Sequence, residues 1–299
     1  MDTTSQSALT DGRHVSNGTV LDSIISTIGD LPASPAIVST VMGLTSDLNS
    51  KLVDVSRVLA SDQSLTAKVL KLSNSSFYGR PGGVKSLQEA VLILGFFTVR
   101  SIVVATSAYG MFKKEDKNGP EAKLWRHSLS TAVAARQLAD AVGHPQSEEV
   151  FIAALMHDIG KLVMIQKLSE KYRQIIAEVE ETAGRFDEIE QAVFGFTHCD
   201  VAAVLLEKWS FPPSLIRGIE RHHQLPEMDD SPDSLVPHVI HLANYMAKRL
   251  QVGFTDYSVD DLACLESAKA LSLSEDKIAA IDEQFRERYE AEMGVFEEL

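Results

Sequence analysis

The sequence predicts an all-α protein built as two helical lobes, the second a bundle carrying a histidine–aspartate cluster. Apolar residues recur at helical spacing almost throughout the chain. No run alternates at period two beside a hairpin turn, so strands are not expected. A charged break, KKEDKNGPEAK at 113–123, separates a stretch without histidine from one holding eight of the nine histidines. The 299 residues are 44% hydrophobic and 23% charged, enough chain and apolar content for a sizeable core.

The elements follow in order. Residues 1–16 read as a polar, disordered arm that contains His14 and lacks the apolar core of a signal peptide. The first lobe is expected over 17–115. In VLDSIISTIGDL, Leu21, Ile24, Ile25 and Ile28 fall on one helical face, and Asp30-Leu31-Pro32 ends it. In DQSLTAKVLKLSN, Leu65, Val69 and Leu72 line a face. SLQEAVLILGFFTVRSIVVATSAYGMF reads as two apolar helices around Gly95. Asp62, Ser73, Asn74 and Ser75 are expected to form caps and turns, because Ser and Asn satisfy backbone groups at helix ends. Phe77 and Tyr78 are expected to pack the lobe junction.

The second lobe is expected over 121–250. LWRHSLSTAVAARQLADAV places His127 near a helix start. SEEVFIAALMHDIGKLVMIQKL reads as one helix with Ser147 as N-cap and acidic residues in its first turn. His157 and Asp158 lie late in it, about 100° apart around the axis, and can converge on one centre between them. FTHCDVAAVLLEKW opens with the cap pair Thr197 and Asp200, putting His198 in the first helical turn. IERHHQLP ends a helix with His222 and His223, and QLPEMDDSPDSLVP is an acidic, proline-rich loop. LVPHVIHLANYMAKRL sets His241, Asn244, Tyr245 and Lys248 on one face. Residues 255–299 form a helical extension, with Ile278, Ile281, Phe285 and Tyr289 as a stripe expected to cap the fold.

Composition excludes several classes. A net charge of −14 and a pI near 5.1 disfavour strong nucleic-acid binding, which needs basic surface to displace counterions. No apolar run approaches the ~20 residues of a membrane span, so no membrane partner and a cytoplasmic location are expected. Cys199 and Cys264 are far apart, and without a C-x-x-C pattern neither a disulfide scaffold nor a thiolate zinc knuckle is expected. Both read as buried or inert thiols.

The histidine set points to a metal. Neutral imidazole offers a lone pair, and imidazole with carboxylate suits iron, manganese or zinc, as one ion or two. Two ions can activate water and clamp a phosphoryl group. Structural readings stand beside this one. His157 and Asp158 can be a helix-end polar pair, His222 and His223 can complement a helix dipole, and His198 can be a first-turn surface residue. His144, in the loop GHPQS, is expected to be solvated and His238 to lie at the surface or a helix end. Occurrence of so many histidines in one lobe favours the functional reading.

The order His127, His157-Asp158, His198, His222-His223, with the string HDIGK, resembles the HD superfamily of metal-dependent phosphohydrolases and the HD-GYP cyclic-di-GMP phosphodiesterases. In the first lobe, LPASPAIVSTVMGL, VLASDQSLTAKVLKLSNSSFYG and VKSLQEAVLILGF resemble the HDOD domain, an HD-related output domain, and the resemblance covers about residues 20–250. It implies an all-α, two-lobed fold and a role in bacterial signalling with a protein or nucleotide partner, in a family where many members have lost catalytic residues. It casts His127, His157, Asp158, His198, His222 and His223 as ligands of one or two divalent ions. Asp158 is then the candidate bridge and Lys161 the candidate phosphate contact, a solvated lysine being the plain alternative. His241 and Asn244 are second-shell or weak ligands. The chain departs from the HD pattern in two places: Asn244 stands where the family's final metal-binding aspartate is expected, and HHQLPEMDD replaces the GYP motif. An amide oxygen is a weaker donor to a cation than a carboxylate. The resemblance therefore implies a signalling module that binds metal, with a metal-dependent phosphohydrolase as the alternative and a metal- or gas-responsive sensor as a weaker one.

Overall fold

The computed structural model describes residues 22–24, 26–29, 35–46, 50–74, 83–110, 116, 118–229, 231–254 and 256–297. The arm at 1–16 and the expectations for Leu21, Ile25, Ser75, Phe77 and Tyr78 lie outside the described residues. Among those described there is no strand, and the all-α reading holds.

The first lobe contains α1 (Ala36–Ser46), α2 (Leu52–Ala60), α3 (Gln63–Ser73) and α4 (Leu87–Gly110). Helix α4 is apolar through most of its length, and the other three pack against it. Gly95 breaks it: the residue takes φ 77°, a left-handed conformation open to glycine, and the two halves meet at 104°. Asp62 caps α3 by accepting from the Leu65 amide at 3.0 Å. Asn74 clamps the end of α3 to residue 84, its side chain accepting from the Val84 amide at 2.6 Å and donating to the Val84 carbonyl at 3.1 Å. The polar marks of this lobe are thus structural, as expected from their chemistry.

The second lobe comprises α5 (Pro120–Ala141), α6 (Ser147–Met156), α7 (Ile159–Lys167), α8 (Ser169–Thr182), α9 (Phe186–Phe194), α10 (His198–Lys208), α11 (Pro213–Glu220), α12 (Leu235–Arg249), α13 (Glu266–Ala270) and α14 (Glu275–Glu297). Helix α5 is its axis. Leu124, Leu129, Ala132, Ala135 and Leu138 are buried on it, and α6, α7, α12 and α14 pack around it. The lobes meet where α4 packs on α6. There Arg100 pairs with Glu149 at 3.3 Å and the Thr98 hydroxyl donates to Glu148 at 3.2 Å.

Four local expectations are corrected. His157 and Asp158 do not sit inside one helix: α6 stops at Met156, α7 starts at Ile159, and the pair forms the corner between them. Gln146, not Ser147, precedes the first turn of α6. His144 is buried, its Nδ1 accepting from the Gln146 amide at 3.1 Å. His238 is buried on α12 and bonds the Pro226 carbonyl at 3.0 Å. The loop GHPQS points His144 to solvent, but the fold covers it; His238 keeps the expected helix-end position, in the first turn of α12, but is not at the surface.

Helix α14 closes the bundle. Ile278, Ile281 and Phe285 are buried and Tyr289 packs against the same core, reproducing the sequence stripe. Among the described residues no single helix is long and apolar enough to cross a membrane. If α14 belongs to the folding unit, Phe285→Ala should lower the unfolding free energy by about 3 kcal/mol or more in urea titration. A change below about 1 kcal/mol would show that the helix is an appendage.

Candidate metal centre

Five elements bring the polar residues of the second lobe to one point. His127 comes from the second turn of α5, His157 and Asp158 from the α6–α7 corner, and Lys161 from the first turn of α7. His198 is the first residue of α10. Its N-cap, Thr197, forms a capping box with Asp200, as the sequence pattern predicts. His222 and His223 follow the end of α11, and Asn244 lies on α12.

Asp158 is the hub. Its Oδ2 lies 2.9 Å from Lys161 Nζ, 3.4 Å from His157 Nε2 and 3.7 Å from His127 Nε2. Its Oδ1 lies 3.3 Å from His198 Nε2. The rings of His157 and His222 are 5.1 Å apart, and those of His222 and His223 4.0 Å. The six residues that the sequence marked as ligands are therefore together, and all but His223 are buried.

Three of the rings are oriented from behind. His157 Nδ1–H donates to the Ala154 carbonyl and His222 Nδ1–H to the Ile219 carbonyl, each at 2.6 Å. His198 Nδ1–H donates to Glu190 Oε2 at 2.6 Å, and the same oxygen accepts the His198 amide at 2.8 Å. The Tyr172 hydroxyl donates to the other Glu190 oxygen. With Nδ1 engaged, each ring turns its Nε2 inward, the outer-shell arrangement that orients a metal-binding imidazole.

Burial sets the protonation of this group. It lowers His127 to about 4 and His157 to about 3, and holds His222 and His223 well below the ordinary imidazole value, so these rings are neutral and have lone pairs to offer. Burial opposes ionisation of Asp158, but His157 and the Lys161 ammonium outweigh it and hold the carboxyl well below its usual range. Burial likewise opposes a charge on Lys161, and Asp158 and Glu190 outweigh it. At His198, burial is outweighed by Cys199 and Glu190, and the imidazole is raised. Burial pushes the Cys199 thiol up.

A metal fits these residues. His157 Nε2, His198 Nε2, His222 Nε2, His223 Nε2, Asp158 Oδ1 and Asn244 Oδ1 are buried and find no hydrogen-bond partner in the protein. Each such atom costs about 1–3 kcal/mol unless something satisfies it, and native structures hold few of them. Six in one centre, all capable of donating electron pairs, match the donor set of a divalent cation. The residues that could ligate an ion form two groups, His127 with His157 and Asp158, and His198 with Cys199, His222 and His223. Within each group the ligand atoms lie within 4.8 Å of one another.

Comparisons with known proteins place the chain in a family. The sequence profile of the HDOD domain matches residues 31–225, more than half of the chain. The chain belongs to the HDOD domain family. An HDOD domain protein of unknown function from Geobacter sulfurreducens superposes with a TM-score of 0.80 at 25% identity, covering 93% of this chain and 97% of its own. A candidate signal transduction protein from Marinobacter aquaeolei VT8 gives 0.76 at 22% identity, over 96% of this chain and 66% of its own. A candidate phosphohydrolase from Shewanella amazonensis SB2B gives 0.72 at 22% identity, over 91% and 96%. The last two likenesses establish the fold. An uncharacterized protein of Treponema pallidum (strain Nichols) is 26% identical over 239 residues, 79% of this chain, and the HDOD chain spans 45% of that relative's length.

Several sequence readings change at this site. Lys161 is not solvated: it is 4% exposed, paired with Asp158 and stacked 4.4 Å over the Phe186 ring. Cys199 is buried, one of the two expectations for it, and lies in the cluster with its sulfur 3.6 Å from His222 Nδ1, whereas Cys264 is exposed. Asn244 is 2% exposed and turns its amide toward His127. His241 bonds the Ser267 hydroxyl at 2.9 Å and packs on Tyr245, on the α13 side of α12.

Glu190, Tyr172 and Gly160 were missed. A signal for Glu190 was present: it stands at helical spacing between Phe186 and Phe194, a carboxylate on an apolar stripe eight residues before His198. Gly160 has a steric role. A Cβ there would meet the His198 carbonyl oxygen at 2.0 Å, so only glycine lets α7 close on the first turn of α10.

Gly160→Ala should therefore destabilise the protein by about 1–3 kcal/mol, read from chemical denaturation, because the helices must separate. Acid should destabilise the metal-free protein as well. Below the ordinary imidazole value of 6.5, the unfolded chain binds protons that His127 and His157 refuse until about pH 4 and 3. Each group then removes up to about 1.4 kcal/mol per pH unit in that window. The raised His198 acts in the opposite sense, but only above 6.5. The melting temperature should fall from pH 7 to pH 5, and a flat or rising value would show that the buried imidazoles are charged in the fold.

Proposed function

We propose that this HDOD chain is a bacterial, cytoplasmic signalling module built around a divalent metal site, which presents its bound state to a protein or nucleotide partner. The observation that carries the reading is the convergence of unpartnered, buried Nε2 and carboxylate atoms on Asp158. His127, His157 and Asp158 would hold one ion, and His198, His222 and His223 the other or an extended shell of the first. Iron, manganese and zinc suit a donor set of imidazole and carboxylate. Asn244 supplies a neutral oxygen where a carboxylate would add charge, which weakens the site for hard cations and fits a binding role.

A second reading, a metal-dependent phosphohydrolase acting on a nucleotide or cyclic dinucleotide, is favoured by the division of Asp158. Its two oxygens face different histidines, the placement of a bridging carboxylate. When bound, the metal would supply Lewis acidity toward a phosphoryl oxygen. Lys161, held charged between Asp158 and the Phe186 ring, keeps the carboxylate ionised and contributes positive charge toward an anionic group. Glu190 fixes the direction of His198.

Elemental analysis of protein purified without chelator or metal-affinity resin tests the reading. Near-stoichiometric iron, manganese or zinc is expected in the wild type, with most of it lost in Asp158→Asn at unchanged helix content. A protein that stays metal-free after incubation with each ion would overturn it. Assaying the loaded protein on bis(4-nitrophenyl) phosphate and on cyclic dinucleotides separates the two readings: turnover abolished by Asp158→Asn supports the hydrolase, and no turnover supports the binding module.

A further inference from the structure

We propose that Cys199 is a metal ligand: a sulfur donor that completes, with His198, His222 and His223, a half of the centre selective for zinc-class ions. The inference rests on the metal-binding reading above and adds a donor of a different chemical kind to it.

The placement is local and tertiary at once. His198 and Cys199 are the first two residues of α10, and the capping box of Thr197 and Asp200 fixes the turn that carries them. His222 and His223 arrive from the end of α11, which packs against α10. One ligand atom from each of the four residues lies within 4.8 Å of every other. A tetrahedral ion with nitrogen at about 2.0–2.1 Å and sulfur at about 2.3 Å keeps its donors roughly 3.5 Å apart. Closing the set therefore takes side-chain movement, the sulfur passing from the Nδ1 edge of the His222 ring, where it lies, toward Nε2.

The sulfur has two imidazole neighbours, His198 and His222. It lies 3.6 Å from His222 Nδ1, but that nitrogen already donates its hydrogen to the Ile219 carbonyl, so it has no lone pair for a thiol hydrogen. Independently of the cysteine, Nε2 of His198, His222 and His223 are buried and unpartnered, and these are the atoms that ask for a cation. Cys199 is 4% exposed, so its thiol is shielded from solvent. On coordination the S–H proton leaves to solvent and a sulfur–metal bond replaces it, with no change of oxidation state. The two halves then differ in softness: His127, His157 and Asp158 give nitrogen and oxygen, whereas the Cys199 half gives nitrogen and sulfur, which selects zinc, cobalt or iron over magnesium and calcium.

Cobalt(II) titration of the full chain tests this. The exposed Cys264 is first removed as Cys264→Ser, because its thiol beside Asp261 is a separate cobalt-accessible sulfur. A sulfur-to-cobalt charge-transfer band in the near ultraviolet is expected in Cys264→Ser. It should vanish when Cys199→Ala or Cys199→Ser is added, while the visible bands of nitrogen-bound cobalt persist. Zinc affinity, by competition with a chromophoric chelator, should fall more than about tenfold. Zinc-edge X-ray absorption on the unmutated chain gives a readout independent of any variant's folding, with a sulfur shell near ~2.3 Å expected beside nitrogen at ~2.0–2.1 Å. Bound cobalt without the charge-transfer band, or zinc with only nitrogen and oxygen neighbours, overturns the sulfur ligand and leaves the metal site standing. Failure to bind either ion overturns both.

Discussion

The Asp158 carboxylate, 1% exposed and ionised, is the feature around which the second lobe is arranged. A buried carboxylate is expensive unless charge and hydrogen bonds surround it. The fold answers with Lys161 at 2.9 Å and with histidines on α5, α6 and α10. The helical run through HDIGK is interrupted here, and the corner between α6 and α7 carries both His157 and Asp158 into the centre.

That corner also joins the centre to the first lobe. Helix α6 has His157 at one end and Glu148 and Glu149 at the other, and those carboxylates meet Thr98 and Arg100 of α4. One ten-residue helix thus spans from the lobe contact to the cluster. Packed interiors transmit displacement poorly by deformation and well by rigid shifts of whole elements. The proposed signalling role therefore has a short physical route available between the two halves.

Two unobtrusive residues decide the precision of the centre. Gly160 removes the side chain that would hold α7 away from His198, and Glu190 sets the direction of the His198 ring through two hydrogen bonds. Neither faces the centre with a ligand atom in the cluster. Both act on where a ligand atom stands, and displacements of about 1 Å are enough to spoil coordination.

Local physical chemistry in the sequence determined much of this protein. The 3.6-residue period marked the all-helical fold, and Gly95 marked the bend in α4. The Thr197–Asp200 cap and the α14 stripe are likewise short-range patterns, each complete within a few residues. The spacing of the histidines and their likeness to the HD pattern named six residues that the fold brings together. Tertiary structure alone decided what depends on approach between distant segments. The contact of Gly160 with His198, the placement of Cys199 beside His222, the burial of His144 and His238, and the turning of His241 toward Ser267 arise between elements whose relative position no local period encodes. Burial then decided the chemistry, because a lysine or cysteine that reads as ordinary in sequence changes its role once water is removed and a single charged or ligating neighbour remains.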